Sequence, residues 1–169
     1  MAARTWVIDA ANVVGARPDG WWRDRPGAAA RLHARVLRLL AAADWPADLA
    51  GQDEAPARVV LVLEGAARAG VEPGTVSPRA RPPDAHPDEA HPDGNGSPDE
   101  ETDGPRAAGV TLAVVHAPGA GDDAIVAEAG DAEPPVLAFT SDRALRERLV
   151  EAGARVRGAG SLWALLDET

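Results

Sequence analysis

Residues 5–12 read TWVIDAAN, a short apolar run from Thr5 to Ile8 that stops on Asp9 and continues through two alanines to Asn12. An acid placed directly after a buried strand and before small residues has no packing reason to be there. Reading outward, the same form recurs. Arg58 to Leu63 runs into Glu64 in VVLVLEG, and Val110 to Val115 is followed by Asp122 and Asp123 in APGAGDDAIV. Val136 to Phe139 leads to Asp142 in LAFTSD, and Ala154 to Val156 is a fifth run. Short apolar runs alternating with helical patterns predict an α/β fold with a five-stranded parallel sheet.

The helical patterns lie between these runs. Leu32, Val36, Leu39, Leu40 and Ala43 recur at helical spacing behind Pro26, which suits a first turn. Arg31, Arg35 and Arg38 form a ridge on another face of that helix. Further helices are expected over Asp122 to Ala129, Arg143 to Ala152 and Ser161 to Leu166, with Gly153 as a C-terminal stop and Ser161 as an N-cap.

Composition narrows the chemistry. At 169 residues, 45% hydrophobic and 26% charged, the chain (1–169) is expected to form one domain. Cysteine is absent, which excludes disulfide scaffolds, Cys-ligated zinc and thiol catalysis. All 17 basic residues are arginine, so a phosphate-loop lysine and Schiff-base chemistry are excluded too. No basic leader with a long apolar run opens the chain, and no stretch approaches the ~20 apolar residues of a membrane span, so a soluble cytoplasmic protein without a membrane partner is expected.

The net charge of −10 is unevenly spread. Residues 82–105, PPDAHPDEAHPDGNGSPDEETDGP, hold eight acids and no arginine, leaving 17 arginines against 19 acids elsewhere. Dense in Pro, Gly and Asp, this segment reads as a disordered acidic insertion. His86 and His91, in the near-repeat AHPDEAHPDG, are weak candidates for holding a divalent metal. A shorter loop is expected from Trp45 to Pro56.

In an open α/β sheet the edge where the strands end is the ligand edge, and Asp9, Glu64, Asp122, Asp123 and Asp142 all fall there. Carboxylates gathered in one place repel unless a cation or protons intervene, and hard oxygen ligands suit Mg²⁺ or Mn²⁺. A metal-dependent phosphoester hydrolase follows. Four of these acids also have a plainer reading: Asp122, Asp123 and Asp142 as N-caps or first-turn acids, Glu64 as an ordinary strand-end acid.

The loop GARPDGWWRDRPG (15–27) interleaves Arg17, Arg23 and Arg25 with Trp21 and Trp22, a pattern able to stack bases and hold phosphates of single-stranded RNA. One of this tryptophan pair is equally expected to be buried. Trp6 and Trp163 are expected in the core, and His116 as a satisfied structural histidine.

In this order, VIDAANVVG with Asp9 and Asn12, VVLVLEG with Glu64, GAGDDAIVAEA with Asp122 and Asp123, and FTSDRALRERLVEAGARV with Ser141 and Asp142 resemble the PIN-like ribonucleases, specifically their NYN branch, which includes bacterial members associated with RNA and ribosomes. The resemblance implies a three-layer α/β/α sandwich with strand order 3-2-1-4-5 and Mg²⁺- or Mn²⁺-assisted hydrolysis of RNA phosphodiesters. It makes Asp9 the central metal ligand and Asn12 a group orienting substrate or a metal-bound water. Asp123 becomes the family acid before an aliphatic helix face, with Asp122 assisting. Asp142 completes the cluster, supported by the Thr140 and Ser141 hydroxyls on the substrate side. Relatives often carry Asp where Glu64 stands, and the acidic insertion is not a family feature. Two other classes stay open: a nucleotide (NTP) pyrophosphohydrolase, although the EExxE type of helix is missing, and a catalytically inactive RNA- or ribosome-binding module. An aspartyl-nucleophile phosphatase fits poorly, because Ala11 stands where its second Asp would be.

Overall fold

A computed structural model describes residues 5–42, 56–78 and 109–169. The acidic insertion, with His86 and His91, and the Trp45–Pro56 loop up to position 55 lie outside the described residues.

Strand β1 (Thr5–Asp9) is buried along its whole length at the middle of the sheet. It passes without a loop into α1 (Ala10–Gly15), a short helix that the apolar pattern does not reveal. A 3-10 turn over Trp21–Arg23 leads to α2 (Arg25–Ala41). There the Asp24 side chain accepts the Gly27 N–H at 2.9 Å and Pro26 occupies the first turn, where its missing N–H costs nothing. Strand β2 (Arg58–Leu63) is followed by a 3-10 segment and by β3 (Gly74–Val76). Then come β4 (Thr111–His116), α3 (Gly121–Asp131), β5 (Val136–Phe139), α4 (Arg143–Glu151), β6 (Arg155–Arg157) and α5 (Ala159–Asp167).

The sheet order is β3-β4-β2-β1-β5-β6. Strands β4, β2, β1, β5 and β6 pair in parallel, whereas β3 is antiparallel to β4. Among the described residues, the expected five-stranded, wholly parallel sheet is therefore corrected to a mixed sheet of six strands. The added strand spans three exposed residues at an edge, too short and too polar in setting to show a period of two.

Alternation along the strands builds two cores. Trp6, Ile8, Val59, Leu61 and Phe139 pack on one face with residues of α1, α2 and α5, among them Val13, Leu32 and Leu162. Val7, Val60, Val62 and Ala138 pack on the other with Ile125, Leu145 and Leu149 of α3 and α4. Helices thus cover both faces, as expected for parallel strands buried on both sides. Trp6 is in the core, edge-on to Phe139 with ring centroids 5.2 Å apart. Trp163 is half-buried, its indole N–H donating to the Val13 carbonyl at 2.8 Å. His116 is a structural histidine, with Nε2 2.8 Å from the Val71 carbonyl. Gly153 ends α4 with a φ of 88°, the left-handed conformation that suits glycine.

One cap differs from expectation. Helix α5 begins at Ala159, so Ser161 lies inside its first turn. The hydroxyl that serves this helix end comes from Ser141, whose Oγ accepts the Ala159 N–H at 2.9 Å.

Candidate active site

Four carboxylates come together at the carboxyl edge of the parallel strands. Asp9, Glu64, Asp122 and Asp142 line one open cavity of about 400 Å³, together with Asn12 and the small residues Ala11, Gly15 and Ala16. Asp9 ends β1 and Glu64 directly follows β2, whereas Asp122 sits in the first turn of α3 after β4 and Asp142 caps α4 after β5.

Asp9 is held most firmly. It is 6% exposed; its Oδ1 accepts the Asn12 N–H at 3.2 Å and its Oδ2 the Thr140 hydroxyl at 2.8 Å. Thr140 is fully buried, and its Oγ1 in turn accepts the Asp142 N–H at 3.1 Å. Burial pushes the Asp9 carboxyl above its usual range; the two hydrogen bonds oppose this, and the negative charges of Asp122 and Glu64 add to it. Asp142 caps α4, its Oδ1 accepting the Leu145 N–H at 2.9 Å. That is the plain N-cap role, and it coexists with a place on the cavity wall.

Glu64 reaches across from the end of β2 to accept the Gly121 N–H at the start of α3 through Oε2. It supplies the side-chain cap that Ala120 cannot. A Cβ on residue 121 would overlap the Glu64 carboxylate, so only glycine lets that carboxylate come so close.

Asp122 and Asp123 part company. Asp122 lines the cavity, and its carboxyl is also raised: by burial first, then by the charges of Asp142 and Glu64, with Arg148 opposing. Asp123 is exposed and pairs with Arg148 at 2.7 Å, away from the cavity wall. Of the two acids, of which Asp123 is the one the resemblance puts first, Asp122 is therefore the one on the cavity wall. Gly121, Ile125 and Ala129 are the buried residues of α3, and Asp122 shares the face of Ile125 and Ala129 at i−3 and i−7 while Asp123 is turned about 100° away.

The remaining site residues are redistributed. Asn12 lines the cavity, but its Oδ1 accepts the Ser141 N–H at 2.7 Å. Since a backbone N–H can only donate, the oxygen is committed and the amide N–H groups are what Asn12 offers a ligand. Thr140, expected on the substrate side, is buried and orients Asp9 instead, whereas Ser141 lines the cavity while its Oγ caps α5. Arg17 pairs with Asp167, its guanidinium 3.9 Å from the Trp163 ring centroid, so it lines a separate hollow with Arg31 and Arg35. Trp21 is half-buried and Trp22 is 52% exposed, so neither is in the core; they meet edge-on at 6.1 Å. Arg23 is exposed, and Arg25 lies 5.5 Å from the Trp21 ring centroid. Arg148 is the residue that sequence reasoning missed: a cation beside the acids, placed there by the turn of α4.

Among the described residues no three acidic or histidine side chains form a ready-made ion cage. The donor set nevertheless fits a hard divalent cation: carboxylate oxygens from four elements on an open cavity, two of the acids already destabilised as anions. Comparison of the chain with protein-family models, with curated proteins and with solved structures returns no match.

Proposed function

We propose that this chain is a metal-dependent ribonuclease, akin to the NYN branch of the PIN-like ribonucleases, that hydrolyses RNA phosphodiester bonds with Mg²⁺ or Mn²⁺. The observation that carries the reading is the convergence of Asp9, Glu64, Asp122 and Asp142 on one cavity at the carboxyl edge of the sheet. Supporting it, the parallel strands run β4-β2-β1-β5-β6, which is the order 3-2-1-4-5 once the antiparallel β3 is set aside.

A polyanionic substrate is repelled by four carboxylates unless positive charge stands between them, and the hard oxygen donors suit a divalent ion in that place. When bound, Mg²⁺ or Mn²⁺ supplies Lewis acidity toward a phosphate oxygen and lowers the pKa of water. Asp9, Glu64 and Asp142 are held in place by hydrogen bonds from Thr140, Gly121 and Leu145, so little reorganisation accompanies binding. Asp122 would hold the ion from α3. Asn12 donates its amide N–H groups toward a phosphate oxygen, while Arg148, paired with Asp123, stands beside the acids without lining the cavity.

The test is incubation of the purified protein with single-stranded RNA, duplex RNA and free nucleoside triphosphates, each with Mn²⁺, Mg²⁺ or chelator. Metal-dependent RNA cleavage is expected. Nucleotide hydrolysis with intact RNA would replace the reading with a pyrophosphohydrolase, and RNA binding without turnover would replace it with a binding module.

A further inference from the structure

A second cavity, of about 250 Å³, adjoins the acidic one. The two share Ala11 and Glu64 as lining residues. Gly15, on the acidic cavity, is the other link: a Cβ there would sit 3.8 Å from the Trp21 ring. The second cavity is chemically unlike the first. Its walls are mainly apolar, from Val14 of α1 and Ala29 of α2, with the half-buried indole of Trp21 and the Arg25 guanidinium beside it.

We infer that this slot receives one unstacked nucleobase of a single-stranded RNA whose neighbouring phosphate lies at the carboxylates. The inference rests on the ribonuclease reading and adds to it what fixes the strand in register. At about 250 Å³ the slot lies just below the 300–1,000 Å³ of sites for drug-sized ligands, the scale of one planar ring system. An indole wall with a guanidinium beside it suits an aromatic face with polar edges. A lipid chain or aliphatic side chain would make no use of the Arg25 guanidinium beside the indole. Because the slot shares its wall with the acidic cavity, the base that fills it and the phosphate that is cut belong to adjoining parts of one strand. Paired bases in a duplex cannot enter, so the slot also selects single strands. Trp21 and Arg25 are thereby positioning residues, whereas Trp22, standing outside, is dispensable.

The experiment measures binding of a fluorescently labelled single-stranded RNA decamer, with Mn²⁺ present, in an Asp142→Asn background chosen to hold the RNA uncut. Trp21→Ala should weaken binding about 5- to 150-fold, the range for loss of one base stack, and Trp21→Phe should recover most of it. Trp22→Ala should change affinity by less than about twofold. A decamer lacking its bases should bind more weakly to the parent and lose nothing further with Trp21→Ala. Undiminished affinity in a folded Trp21→Ala variant, or independent and additive losses, would overturn the slot. Should Trp21→Ala fail to fold, Ala67→Phe fills the slot from the segment after β2, and the same outcomes apply. Trp21-dependent binding by a wild-type protein that never cuts RNA would overturn the ribonuclease reading and leave the slot standing. Cleavage indifferent to Trp21 would overturn the slot alone.

Discussion

Two charged regions of this molecule have opposite electrostatic characters. Where α1, α2 and α5 meet, Asp167 accepts hydrogen bonds from both Arg17 and Arg35, and both guanidiniums lie against the Trp163 ring. Those bonds hold the Asp167 carboxyl below its usual range. At the carboxyl edge of the sheet, burial and neighbouring acids push Asp9 and Asp122 above theirs. One cluster is neutralised within the protein; in the other, two carboxyls are held above their usual range by burial and by one another's charge. On the proposed function, what is left unneutralised is what distinguishes the ligand site from the structural ion pair.

Single substitutions in each region separate the two characters. The largest effect is expected from Asp9→Asn, which keeps the side chain's shape and removes the most buried charge. Metal-dependent RNA hydrolysis should fall by on the order of 10³-fold or more, the several kcal/mol of transition-state stabilisation a metal provides, while circular dichroism and the thermal transition persist. Gly121→Ala comes next. Its Cβ displaces Glu64 from the start of α3 and should weaken Mn²⁺ affinity by about 10- to 100-fold, as for lost outer support of a metal site.

Thr140→Val removes the hydroxyl that joins Asp9 to the Asp142 N–H. It should cost about 1–3 kcal/mol of stability, seen in denaturant unfolding, by leaving buried polar groups unpaired. It also removes a bond that favours ionised Asp9, so the acid limb of the activity profile should move to higher pH.

Proton linkage separates the two regions by sign. A raised carboxyl binds a proton in the native state that the unfolded chain has released, so Asp9 and Asp122 make stability in chelator fall as pH rises from the ordinary carboxylate range through their raised values. Saturating Mn²⁺ should reverse that slope. Asp167 has the opposite sign: its contribution is present above the ordinary range and is lost as pH falls through its lowered value. Asp167→Asn should therefore have the smallest effect of the series, a slight loss of thermal stability that added salt removes, with RNA hydrolysis unchanged.

Much of this was legible in the chain. Apolar runs that stop on acids needed no tertiary knowledge to place Asp9, Glu64 and Asp142 at strand ends, because a buried strand exposes its character in composition alone. The choice between Asp122 and Asp123 depended on how α3 is rotated about its axis. The signal was present in Ile125 and Ala129, whose spacing puts Asp122 on the sheet side. What could not be read were the contacts delivered from elsewhere in the chain. Ser141 caps a helix 18 residues later, Glu64 caps one 57 residues later, and Arg17 is drawn to Asp167 across 150 residues. Strand β3, three exposed residues at an edge, left no periodic trace.

Titration of Mn²⁺ into the protein at neutral pH, followed by the electron paramagnetic resonance of the free ion, tests the central claim most directly. Wild-type protein should bind Mn²⁺ saturably, Asp9→Asn and Asp122→Asn should each lose most of that affinity, and Asp123→Asn should keep it within about twofold. Absence of saturable binding in the wild type, or loss with Asp123→Asn equal to that with Asp122→Asn, would contradict the account.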